Sequence, residues 1–128
     1  MLKFRILGYL IFTVFTCNAQ IDTLNYLKQF EENKIKYIGK PFSVLLNDMT
    51  QIQPKTYWSF PSGMKKNISY DTTFYFGDNK MIIVWQNPIP RDQTYYYEQK
   101  NKRLFTIEEK NFYGFKIIKN IIVYRKIL

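Results

Sequence analysis

Ile68-Ser69-Tyr70-Asp71-Thr72-Thr73-Phe74-Tyr75-Phe76-Gly77-Asp78-Asn79-Lys80-Met81-Ile82-Ile83-Val84-Trp85 holds the longer strands of the region, from Lys55 onward, in which the apolar period of the chain changes from helical to alternating. Ile68, Tyr70, Thr72, Phe74 and Phe76 alternate with Ser69, Asp71, Thr73 and Tyr75. Successive strand side chains point to opposite faces, so this spacing predicts a strand with one apolar face toward a core and one toward water. Gly77-Asp78-Asn79-Lys80 reads as a hairpin turn, because Gly, Asp and Asn tolerate the backbone angles such turns need. Met81 to Trp85 is apolar on both faces, which predicts a central strand with a helix over its second face.

Upstream, Tyr57, Trp58 and Phe60 form a brief aromatic strand ended by Pro61-Ser62-Gly63. Ile21 to Asn33 predicts an amphipathic helix, with Asp22 or Thr23 as cap and Leu24, Leu27, Phe30 and Tyr26 on one stripe. Gly39 permits a sharp turn and Pro41 suits a first helical turn. Phe42, Leu45, Leu46 and Met49 then recur at helical spacing, so Pro41 to Met49 predicts a second, short helix, with Ser43 as an alternative cap.

Downstream, Asn87-Pro88-Ile89-Pro90 is expected to break the sheet, and Arg91 to Arg103 is read as helix. Thr106-Ile107-Glu108-Glu109 has capping-box spacing, and Gly114 can close the helix it starts. Phe115 to Ile127, rich in Ile, Val and Tyr, predicts a final strand. This order suits an α+β fold: an antiparallel sheet of about four strands, with two N-terminal helices and one or two later helices packed on one face.

The first residues carry Lys3 and Arg5, then an uncharged apolar run from Ile6 to Cys17, then Asn18-Ala19-Gln20. The run is shorter than the roughly 20 residues that cross a bilayer as a helix, and small Ala19 suits cleavage. Residues 1–19 are therefore expected to be a signal peptide and 20–128 a single small domain, with no transmembrane span in the mature chain. The alternatives are an N-terminal anchor that stays attached, or a lipid on Cys17. Against lipidation, Val14, Phe15 and Thr16 are not the small residues that usually precede a lipidated cysteine. The expected location is exported: periplasmic, outer-membrane-associated or secreted.

Cys17 is the only cysteine, so cleavage after Ala19 leaves a chain that can form neither an internal disulfide nor a thiolate nucleophile. Histidine is absent throughout. That excludes Ser-His-Asp and Cys-His hydrolases and histidine-ligated zinc. No phosphate-binding glycine loop or paired-aspartate calcium loop is present, and neither metal nor cofactor is expected. Glu108 and Glu109 are adjacent, but helix neighbours point about 100° apart and make poor opposed acid and base, so a solvated face is the expected reading.

Without residues 1–19, 17 Lys and Arg stand against 10 Asp and Glu, a net charge of +7. Outside the cytoplasm such a balance steers toward acidic lipid, lipopolysaccharide, acidic glycan or extracellular nucleic acid, without choosing among them, and the expected partner is an anionic envelope component or an envelope protein. No intracellular nucleic acid is expected as partner, and the oligomeric state is open. Tyr95, Tyr96 and Tyr97, followed by Lys100, Lys102 and Arg103, mix rings with cations and form the candidate binding patch. The bland alternative is two core tyrosines and one partly exposed. Lys65-Lys66-Asn67 reads as a solvated loop, and the sequon Asn67-Ile68-Ser69 is uninformative. Trp58 and Trp85 lie in predicted strands and are read as core in preference to a sugar platform.

Tyr37-Ile38-Gly39-Lys40-Pro41-Phe42-Ser43 leading into a Leu-Leu helix resembles a recurring feature of uncharacterised small exported proteins of Bacteroidota, which have no known activity. Phe112-Tyr113-Gly114 before an Ile-rich strand, and the signal ending in Asn18-Ala19-Gln20, are similar to theirs. The resemblance covers most of the chain, implies a cell-envelope or secreted address in a didermal bacterium and brings no catalytic residue. The Gly-Lys-Pro entry alone is similar to small helix-plus-sheet envelope modules, such as those associated with outer-membrane assembly, and no function is transferred from it.

Two functions of different classes follow. The first is a non-catalytic envelope or secreted module that binds a macromolecule through its sheet face or through residues 91–103. The second is a histidine-independent hydrolase or lyase on an acidic polymer, with Tyr95, Glu98 and Lys100 as first suspects. An enzyme needs those groups to converge in a concave pocket, whereas a binding module can use a shallow aromatic and basic surface.

Overall fold

The computed structural model describes residues 22–125. The expected signal segment 1–19, Cys17 and the end of the expected last strand lie outside the described residues. Chain order is α1 (Thr23–Glu32), a single 3-10 turn (Lys34–Lys36), α2 (Phe42–Asp48), β1 (Thr56–Trp58), β2 (Ile68–Phe76), β3 (Asn79–Pro90), α3 (Arg91–Lys100), α4 (Ile107–Gly114) and β4 (Ile118–Arg125). The four strands form one antiparallel sheet in the order β1-β2-β3-β4, so the fold is α+β. No helix of the described residues is long and apolar enough to cross a membrane.

One sheet face carries the core. Tyr57 on β1, Phe74 and Phe76 on β2, Met81, Ile83 and Trp85 on β3, and Ile118, Ile121 and Val123 on β4 are all buried. They meet Leu27 of α1, Phe42, Leu45 and Leu46 of α2 and Tyr113 of α4 in one cluster. Phe42 lies 4.7 Å from Phe74 and Tyr113 stacks on Trp85 at 5.7 Å, so the interior is largely aromatic. Gly114 ends α4 buried, with ordinary helical backbone. A Cβ there would meet that of Ser43 at 3.5 Å, an ordinary contact, so the packing of α4 on α2 does not require glycine at this position.

The caps follow the sequence. Asp22 accepts from the Asn25 amide at 3.3 Å, and Thr106 with Glu109 closes the capping box of α4. Both sheet edges are covered in part. Beside β1, the chain at Arg103 to Phe105 pairs with Lys55 to Tyr57. Beside β4, Gly39 to Phe42 pairs with Lys116 to Ile118, and the Glu31 carboxylate accepts from the Val123 amide at 2.6 Å. Unpaired strand edges invite other strands, so these contacts oppose aggregation.

Several expectations are corrected. Pro88 and Pro90 do not break the sheet, because β3 continues to Pro90, with Ser69 opposite Ile89. Beyond Gln86 this segment has only β2 beside it, so alternate positions need no ladder donor, and the two prolines share one phase. A bulge between Ser69 and Asp71 shifts the alternation of β2. Ser69 is consequently buried, and Tyr70 is 48% exposed instead of facing the core. The helix expected over 91–103 stops at Lys100, since Lys102 (φ 54°) and Arg103 (φ 61°) are left-handed. The last strand starts at Ile118, and Phe115 is exposed.

Glu109 is the largest surprise inside the fold. It is fully buried instead of solvated, and it accepts from Tyr57 at 2.7 Å, from Asn101 at 2.9 Å and from the Thr106 hydroxyl. Glu98, also buried, accepts from the Ser59 amide at 3.0 Å and pairs with Arg91. Between them the Ser59 hydroxyl bonds Thr72 at 2.6 Å and Tyr113 at 2.8 Å, and the Trp85 indole donates to Thr72 at 2.9 Å. Burial and acidic neighbours push the Tyr57 phenol far up, first through desolvation and then through its bond to Glu109. Both carboxylates thus fasten helices to the β1 region, because an unpaired buried charge would cost several kcal/mol, of the order of 3 or more.

Candidate functional site

The opposite sheet face has no helix among the described residues. Its side chains form rows fixed by strand register. Thr56, Tyr75, Lys80 and Tyr124 make one row, Trp58, Thr73, Ile82 and Ile122 the next, and Asp71, Val84 and Asn120 the third. None except Thr73 is buried, and Ile122 and Tyr124 are exposed. The helix expected over the second face of Met81 to Trp85 is not there, so Ile82 and Val84 are only half-buried.

Cations on this face lie against rings. Lys80 Nζ is 5.6 Å from the centroid of Tyr75 and 5.4 Å from that of Tyr124, so one ammonium is shared by two tyrosines. The Arg103 guanidinium lies 4.6 Å from the Trp58 ring, whose other close ring is Phe60 at 4.2 Å. Each contact contributes about 0.5–1 kcal/mol where solvent reaches it, which orders the cations without neutralising them. Thr56, Tyr57, Trp58, Tyr75 and Arg103 line a shallow depression of about 300 Å³.

Arg103 reaches this position through strain. Left-handed backbone is unfavourable for residues with a Cβ, by roughly 1–2 kcal/mol. The pair persists because the Arg103 amide donates to Glu98 O at 3.0 Å, Arg103 O accepts from Tyr57 at 3.1 Å, and the Leu104 amide donates to Asn101 O at 3.0 Å. The chain is thereby turned back along β1, with the guanidinium placed on Trp58.

Asp71 is the one acid among the named row positions. It has no ion-pair partner among the described residues, and desolvation raises its carboxyl from its ordinary value. Burial also raises the Tyr75 phenol, while nearby Arg103 opposes that rise.

The residues singled out from sequence divide between places. Tyr95 and Tyr96 are exposed, at 52% and 56%, while Tyr97 is half-buried against Phe112 at 4.7 Å. Two outward rings and one packed ring reverse the bland alternative. Arg91 lies over Tyr95 at 5.3 Å, and Lys100 lies 5.7 Å from Tyr96 while pairing with Glu108 at 2.7 Å, a bond that raises its ammonium. Lys102 is exposed, and Arg103 joins Trp58 instead of the tyrosines. The patch is therefore two sites.

Tyr95, Glu98 and Lys100 do not converge. The Glu98 carboxylate points into the fold and is held by Ser59 and Arg91, whereas Tyr95 is at the surface and Lys100 is bound to Glu108. Among the described residues no group of three or more His, Cys, Asp or Glu is arranged to hold a metal ion.

Trp85 is core as expected, but Trp58 is half-buried on the open face. Trp58, Tyr75, Lys80 and Tyr124 were not legible as a group. The usable signal was the phase of β3, in which Lys80, Ile82 and Val84 share the side opposite Met81, Ile83 and Trp85. Comparison with protein-family models, with curated proteins and with solved structures finds no match.

Proposed function

We propose that the chain is a non-catalytic exported domain of the cell envelope or extracellular space, and that it binds an anionic envelope component or an acidic face of an envelope protein through its open sheet face. The observation that carries this reading is the set of Lys80 and Arg103 held against Tyr75, Tyr124 and Trp58 beside Ile82 and Ile122, on a face that no described helix covers. Aromatic residues and Arg are enriched at binding surfaces because they combine large contact area with directional polar groups. The net positive charge and the resemblance of the Tyr37–Ser43 and Phe112–Gly114 segments to small exported Bacteroidota proteins support the partner class and the address.

The test is retention of envelope components on the immobilised protein at low and high salt, compared with an Ile82→Asp/Arg103→Ala variant. Binding through this face should fall about tenfold or more in the variant and weaken with salt, because exposed charge contacts are screened. Equal retention by the variant rejects the open face as the site. A Tyr95→Ala/Tyr96→Ala variant, altered only on α3, should bind like the parent.

A further inference from the structure

The loop between β1 and β2 lies at the end of the molecule where α3 begins, apart from the centre of the open face. It runs Phe60-Pro61-Ser62-Gly63-Met64-Lys65-Lys66-Asn67. It is a held structure. Ser62 pairs with Ile68 across its base, the Lys66 amide donates to Gly63 O at 3.1 Å, and Arg91 of α3 donates its amide to Asn67 O at 2.8 Å. Gly63 at φ 88° and Lys66 at φ 52° supply the left-handed angles that turn the tip.

The tip presents an unusual pairing of groups. Met64 is fully exposed at 105%, Lys65 and Lys66 beside it are exposed, and Phe60 at the base is 39% exposed. From Ser59 to Tyr70 there is no acidic residue. The exposed ring of Tyr95 extends the aromatic character onto α3, where Arg91 is paired with buried Glu98 and Asp92 bonds its neighbour Gln93.

We infer that this loop is a membrane-contact tip, with Met64 entering the headgroup layer of an anionic bilayer and Lys65 and Lys66 pairing with lipid phosphates. A surface loop of eight residues cannot by itself bury the roughly 1,000 Å² that a stable protein interface needs. A soft, negatively charged surface asks for no such area. It takes an unbranched apolar side chain into its outer layer while adjacent lysines stay at the phosphates, and the basic residues gain from the surface potential. The inference does not depend on the open sheet face having a partner.

A reporter inside the loop separates this contact from any held by residues 1–19. In a full-length Cys17→Ser/Met64→Cys protein carrying an environment-sensitive dye at position 64, vesicles with about one-third phosphatidylglycerol should blue-shift the emission and raise it about twofold. Pure phosphatidylcholine vesicles should give little change, and added Lys65→Glu/Lys66→Glu should abolish the response. A dye at Phe115→Cys, an exposed apolar site elsewhere, should not respond. The proposal is overturned by an unchanged signal at position 64 on anionic vesicles, by a response that survives charge reversal, or by an equal response at position 115.

Discussion

The two faces of the sheet are built from similar residues and do different things. One sets Tyr57, Phe74 and Trp85 under three helices at near-zero exposure, and the other leaves Trp58 and Tyr75 half-buried and Tyr124 exposed beside Lys80 and Arg103. Aromatic content therefore does not tell core from surface here. What separates the faces is the company of each ring: hydroxyls and carboxylates closed off by helices on one side, unburied cations on the other. The two buried carboxylates belong wholly to the first, since Glu98 is held by Ser59 and Arg91 and Glu109 by Tyr57, Asn101 and Thr106.

The contrast is broken or sharpened most strongly at the tryptophans. Trp85→Ala should destabilise by about 3–5 kcal/mol, as large core truncations do, while Trp58→Ala should cost much less, at about 1 kcal/mol. Urea denaturation of both variants checks the difference, and equal losses would mean that the faces are not distinct. The adjacent glutamates give a second pair. Glu109→Ala strands the Tyr57 hydroxyl and the Asn101 amide and should cost about 3 kcal/mol, whereas Glu108→Ala removes only an exposed ion pair and should cost little. Thermal melts of the two should lie roughly 10–20 °C apart, taking about 4–8 °C per kcal/mol for a domain of this size.

A smaller effect tests the open face through pH. The folded Asp71 carboxyl titrates above its unfolded value, so ionisation opposes folding. Its contribution is most favourable below the ordinary carboxylate range and is lost as pH rises through the folded value. Asp71→Asn should therefore raise the melting temperature slightly at pH 7, with the gain shrinking as pH approaches 4. A gain independent of pH would mean that Asp71 acts through packing instead of charge.

Much of the architecture was legible because local signals agreed with tertiary ones. Period-two alternation and Gly77-Asp78 marked the hairpin, Asp22 and Thr106 marked helix starts, and the Phe42 to Met49 spacing marked α2. The open face was not legible, for physical reasons at named residues. A bulge after Ser69 reverses the side on which Tyr70 falls, and sequence gives no sign of it. Glu109 looks like a surface acid until the fold brings Tyr57, 52 positions earlier, against it. Arg103 follows Tyr97 and Lys100 in sequence, yet two left-handed residues carry it across to Trp58.

Site-specific photo-crosslinking in the cells that make the protein addresses the open face directly, with the crosslinker at Ile122 in its middle row or at Phe115, equally apolar but elsewhere. A discrete adduct from position 122 that position 115 does not form is the expected result. Adducts of equal yield from both positions, or from position 115 alone, would contradict binding through the uncovered side of the sheet.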